Sequence, residues 1–92
     1  MIVLSQDKNK AINLNNVLAI WIDKDVLDKT ESFFTIEVET DGSNIELGRY
    51  NQEKRAKEVL KEIINKYKTT LYNSKTNETV VNVPKVYEMP KE

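Results

Sequence analysis

The stretch from 51 to 67, NQEKRAKEVLKEIINKY, constrains this 92-residue chain more than any other part of it. Ala56, Val59, Leu60, Ile63, Ile64 and Tyr67 recur at helical spacing, which predicts a helix over 51–67 with one apolar face. Asn51 suits the capping position and Glu53 the positive end of the helix dipole. Burying the stripe contributes about 1.5–3 kcal/mol for each large side chain, against roughly 0.2–0.5 kcal/mol for ion pairs such as Glu53 with Lys57 or Glu62 with Lys66. The helix therefore has to lie on something apolar. A chain this short buries only about 60–65% of its unfolded surface, enough for one core and a single domain, 1–92.

Strand signals supply the cover. Residues 2–6 (IVLSQ) and 11–14 (AINL) flank the polar turn Asp7-Lys8-Asn9-Lys10 and predict a first hairpin. VLAIWI, 17–22, is apolar without strict alternation, which predicts a central strand covered on both faces, with Trp21 in the core. Residues 23–32 (DKDVLDKTES) read as a polar loop. FFTIEVET, 33–40, alternates, with Phe34, Ile36 and Val38 on one face and Thr35, Glu37 and Glu39 on the other. Asp41-Gly42-Ser43-Asn44 makes a turn in which Gly42 can take positive φ, and Ile45-Glu46-Leu47 returns as the next strand. Beyond the helix, 69–72 and 79–83 are β-prone around a turn at 73–77. Pro84 and Pro90 confine a last strand containing Val81, Val83 and Val86 to an edge, ending in a clasp over 87–90. The fold class is α+β: an antiparallel sheet of about five N-terminal strands, one long amphipathic helix and a short C-terminal β segment.

Composition narrows the chemistry. There is no cysteine and no histidine, so disulfides, thiolate metal sites, cysteine nucleophiles and imidazole bases are all excluded. The longest apolar run is far below the roughly 20 residues of a membrane span. Met1 is followed by Ile-Val-Leu-Ser-Gln-Asp, without the basic flank of a signal peptide, and a cytoplasmic protein is expected. Residues 1–50 carry nine acidic against five basic side chains, and 51–68 carry three against six, so the halves attract within one molecule or between two. A net charge of −1 gives no reason to expect a nucleic acid polymer as partner.

Few residues stand out as chemistry. Asp23, Asp25 and Asp28 crowd one segment but lack the glycine and the twelfth-position glutamate of a calcium loop, so solvated carboxylates are the simpler reading. Glu37 and Glu39 share a strand face, yet nothing would push their pKa values apart, and no enzyme, metal or cofactor is expected. Gly42 and Gly48 are the only glycines and form no phosphate loop, so a nucleotide would be held by side chains. Arg55, at the margin of the stripe, is the first choice for an anion contact; the alternative is a flank residue paired with Glu58 or Glu62. Tyr72, Tyr87, Phe33 and Phe34 could stack on a base, and Asn73, Asn82 and Lys85 could donate to a base edge or phosphate, although aromatics this sparse also suit a core.

Ser5-Gln6-Asp7-Lys8, Leu47-Gly48-Arg49-Tyr50, the run from Glu53 to Leu60 and Val86-Tyr87-Glu88-Met89-Pro90 together resemble short proteins encoded by phages and mobile elements of Gram-positive bacteria, over nearly the whole chain. Within that group the chain looks most like the Thoeris anti-defence sponge family, although the segment before Tyr87, residues 68–85, is shorter here. The resemblance implies N-terminal strands, helices that cross in a dimer, and a non-catalytic protein that sequesters cyclic ADP-ribose signals without cleaving them. The expectation is a homodimer or higher oligomer that binds a small anionic nucleotide between subunits through Arg55, Tyr87, Lys85, Asn82 and Tyr72. Two alternatives stay open: a protein–protein module that inhibits a host enzyme, and a small structural protein of a mobile element.

Overall fold

The computed structural model describes residues 1–28, 31–76 and 85–92, with the side chains of 69–76 excepted. In order these form β1 (Ile2–Leu4), β2 (Ala11–Asn13), a 3-10 turn (Leu14–Asn16), β3 (Ala19–Val26), β4 (Ser32–Thr40), β5 (Ser43–Tyr50), α1 (Glu53–Thr76) and β6 (Val86–Glu88). The class is α+β, but the strands make two three-stranded sheets, β2-β1-β6 and β3-β4-β5, and not one sheet of about five. The reason lies in β1. It is three residues long, and both of its edges are taken, by β2 antiparallel and by β6 parallel, so neither is left to join β3.

The second sheet carries the largest share of the core. β3 and β4 pair antiparallel from Ala19 opposite Glu39 to Val26 opposite Ser32, and β4 pairs with β5 from Phe34 opposite Tyr50 to Thr40 opposite Ser43. Gly42, at φ 83°, makes the tight turn between β4 and β5 that its missing Cβ allows. A bulge at Leu47 shifts the register between Ile36 and Glu37, and Leu47 itself is buried. Ile36, Val38 and Leu47 meet the buried stripe residues Ala56, Val59 and Ile63, while Val3, Tyr87 and Met89 close the same cluster from the first sheet. Two sheets thus share one core under one helix.

Four sequence expectations are corrected. VLAIWI is not central: the strand starts two residues and ends four residues further on and forms an edge, Leu18 is exposed and Trp21 is only half-buried. Pairing along the whole length of β4 draws Asp23 to Val26 into the ladder, so the expected loop shrinks. Phe33 and Thr35 are buried although they face away from the helix; the Arg49 guanidinium covers the Phe33 ring at 4.1 Å, and the Thr35 hydroxyl donates to Glu37 Oε2 at 2.9 Å. The helix starts at Glu53, with the Gln52 carbonyl, not Asn51, receiving the Ala56 N–H at 3.1 Å.

The helix also runs to Thr76, through Thr69, Thr70, Leu71 and Tyr72, where a strand was expected. Each residue added to an existing helix gains a hydrogen bond for one residue ordered, and this outweighs a modest β preference. The expected partner strand at 79–83, with Val81, Asn82 and Val83, lies outside the described residues. Val86 does sit on an edge strand, but β6 runs parallel to β1. No described helix is long and apolar enough to cross a membrane.

Truncation along α1 should separate buried from exposed stripe positions. Val59→Ala and Ile63→Ala should each lose about 2–4 kcal/mol in urea unfolding, because both side chains are fully enclosed. Ile64→Ala, on the exposed margin, should lose under about 1 kcal/mol.

Candidate functional site

Where β5 ends and α1 begins, the chain turns through Asn51 and Gln52, and residues 89–92 lie across the junction. Gln6 organises this crossing. Its Oε1 accepts the Arg49 N–H at 2.8 Å, and its Nε2 faces the carbonyls of Arg49 (3.1 Å), Pro90 (3.1 Å) and Lys91 (2.7 Å). The Gln6 N–H donates to the Leu47 carbonyl at 2.8 Å and the Met89 N–H to that of Leu4 at 3.0 Å. The Tyr50 hydroxyl donates to the Pro90 carbonyl at 2.7 Å, and Arg55 Nε donates to the backbone oxygen of Glu92 at 2.7 Å. A Cβ on Gly48 would stand 3.0 Å from Met89 Cε and 3.1 Å from Tyr50 Oη, so the ends of both side chains pack closely over this glycine.

The crossing leaves a cleft of about 420 Å³ lined by Arg49, Tyr50, Asn51, Gln52, Arg55, Lys91 and Glu92. Both arginines of the chain stand in it. Arg49 is oriented by the Phe33 ring beneath it and by Glu46 at 3.4 Å, and Arg55 by Glu92 and by Glu58 at 3.4 Å. Glu46 and Glu58 offset part of this positive charge, Glu92 adds a carboxylate to the lining itself, and each guanidinium keeps some of its five N–H donors open. The opening turn of α1 adds backbone N–H groups that have no partner inside the helix, and its dipole has the same sign. Glu53, the acidic residue of that turn, is held below the usual carboxylate range by a 2.8 Å contact with Lys57. The cleft is therefore a concavity of mixed charge, with three cations beside Glu92, whose guanidinium forks suit a phosphate or carboxylate.

The residues expected to bind divide. Arg55 stands in the cleft. Tyr87 is buried in the core, where Lys66 Nζ lies 5.4 Å from its ring centroid, and it does not line the cleft. Its hydroxyl is enclosed without a partner at hydrogen-bond geometry; burial, then the nearby Glu62 carboxylate, pushes its pKa up. Lys85 is exposed and gives its carbonyl to the Ile2 N–H at 2.8 Å, tying β6 to β1. Tyr72 lies on α1, and Asn82 outside the described residues. Sequence reasoning did not select Arg49, Gln6, Tyr50 or Lys91. Only Arg49 left a trace, as one of two arginines, while Gln6 in a polar turn looks like any surface glutamine. Comparison with family models, curated proteins and solved structures finds no match.

Tyr50 links the clasp to pH. Burial pushes its pKa up to about 12, Glu62 adds to the shift, and Arg55 opposes it. Since the unfolded phenol titrates near 10, the unfolded chain loses its proton first. The neutral phenol's contribution is complete below about pH 10 and is lost as pH rises through about 12. Denaturant unfolding from pH 8 to 12 should show this fall in stability, and Tyr50→Phe should reduce it, leaving the part that the buried Tyr87 phenol supplies. At pH 7 the same change should cost about 0.5–1.5 kcal/mol through the missing bond to Pro90.

Proposed function

We propose that the protein is a non-catalytic binder that holds a small anionic nucleotide in the cleft between β5, α1 and residues 91–92, and so withdraws it from signalling. The observation that carries this reading is the convergence of Arg49, Arg55 and Lys91, against the single carboxylate of Glu92, with the opening turn of α1 on one concavity. About 420 Å³ falls in the range of small-ligand sites, roughly 300–1,000 Å³. The side chains that line it bind rather than react. The guanidinium groups offer N–H donors, the Tyr50 phenol stays neutral at physiological pH, and Asn51 and Gln52 offer amides. The resemblance to the Thoeris sponge family supports the cyclic ADP-ribose class of ligand, whose pyrophosphate carries the charge the cleft attracts. The cleft is complete within a single chain, so the ligand needs no second subunit to meet these cations.

Calorimetric titration with cyclic ADP-ribose isomers, followed by heating to release the ligand, tests the reading. Saturable binding and recovery of intact ligand are expected. Arg49→Gln and Arg55→Gln should each weaken binding about tenfold to a hundredfold, the size expected when one charge-assisted bond is removed. Lys54→Ala, on an exposed part of the same helix turn that does not line the cleft, should leave binding unchanged. Affinity should fall as salt is raised, because the cleft opens to solvent. No thermal shift and no depletion of any isomer would overturn the proposal.

A further inference from the structure

β3 is an edge strand, and among the described residues no strand lies along its outer side. Its two ends differ in shape but match in chemistry. At the start, Leu18 is 72% exposed and borders an apolar groove of about 170 Å³ whose walls include Ile20, Ile63, Ile64 and Tyr67. At the far end, Val26 and Leu27 project into solvent at 65% and 66% exposure. Exposed apolar side chains scattered singly are ordinary, but a groove at one end of a strand and two projecting aliphatics at the other form a self-complementary pair. A two-fold axis that sets one copy of the strand antiparallel to another carries each end onto its complement.

We propose that two copies of the protein pair through β3, edge to edge and antiparallel, with Ile22 on the two-fold axis and Val26 of each copy seated beside Leu18 of the other. The register follows from side-chain charge. With Ile22 at the centre, Ile20 stands opposite Lys24, Trp21 opposite Asp23, Ala19 opposite Asp25 and Leu18 opposite Val26, so no two like charges face one another. Centring on Asp23 sets Asp23 against itself, and centring on Lys24 sets Lys24 against itself and Asp23 against Asp25, both unfavourable. Centring on Trp21 parts Leu18 from Val26 and leaves both exposed. The charges that protect an edge strand from indiscriminate pairing thus oppose two of these registers and permit the one that covers the apolar ends.

Faces agree with this arrangement. Ile20, Ile22, Lys24 and Val26 alternate onto the side of the sheet that α1 covers, because Ile20 and Ile22 stand opposite the buried Val38 and Ile36. The neighbouring copy's Val26 therefore arrives on the groove side, near Ile64, itself 48% exposed. The pairing would join two three-stranded sheets into one of six strands. It runs along β3 from Leu18 to Val26, includes none of the residues that line the cleft, and stands independently of the ligand.

The chain has no cysteine, so single thiols report the register without background. Leu18→Cys and Val26→Cys variants, mixed under mild oxidation, should form a disulfide-linked dimer, since directly opposed residues in an antiparallel pair fall within disulfide range at about 4.5–5.5 Å between Cα atoms. Each variant alone should remain unlinked, because its own copies are then about 27 Å apart along the strand. Sedimentation equilibrium should show a dimer, and Leu18→Glu should raise its dissociation constant about tenfold or more while circular dichroism stays unchanged. A monomer at millimolar concentration, a dimer indifferent to Leu18→Glu, or either thiol variant linking by itself as readily as the mixture would overturn the proposal.

Discussion

The burial of the α1 stripe against β4 and β5 is the contact on which the rest depends. Ala56, Val59 and Ile63 are enclosed by Ile36, Val38 and Leu47, and all six are fully removed from water at the centre of the core. That contact also sets direction. With the stripe facing the sheet, the first turn of α1 has to sit where β5 ends, and its free N–H groups, Arg49 and Arg55 come to one place. The first sheet then packs under the same cluster through Val3, and β6 adds Tyr87 and Met89.

Residues 85–92 serve structure and site together. β6 pairs in parallel with β1, Met89 fills the space left by Gly48, and the carbonyls of Pro90, Lys91 and Glu92 are taken by Tyr50, Gln6 and Arg55. Tyr87 and Met89 seal the core, and Lys91 and Glu92, directly after them, form one wall of the cleft. Arg55 is both a clasp donor and a cleft cation, because a guanidinium has five N–H groups and Glu92 and Glu58 engage only some of them. A tail held by backbone carbonyls can tolerate varied side chains and still keep its shape.

Much of the architecture was legible before the structure. The alternation of 33–40, the turn at Asp41 to Asn44 and the stripe from Ala56 to Tyr67 are local patterns, and each produced the expected element. The misreadings share one cause. VLAIWI looked central because apolarity reports that a segment is covered, not whether a strand or a helix covers it, and Thr35 was set with the glutamates on the outer face because alternation does not foresee which side chains are laid over that face. Thr69 to Tyr72 looked like strand because propensity is weighed residue by residue, whereas helix growth is cooperative. Of the site, Arg55 was readable from its place beside the stripe. Gln6 was not, since its value comes from three carbonyls that approach from distant parts of the chain.

What the sequence by itself determined is whatever rests on interactions within a few residues: the helix and its buried face, the β4 to β5 hairpin, the absence of thiol and imidazole chemistry, and an arginine at the helix margin. The tertiary structure decided what rests on contacts between distant segments: two sheets in place of one, the parallel pairing of β6 with β1, β3 as an edge, and Arg49, Arg55 and Lys91 around one cleft. The physical reason is that hydrophobic patterning selects which residues are buried but is indifferent to partner, while hydrogen-bonded strand pairing and converging charge depend on which distant segments meet.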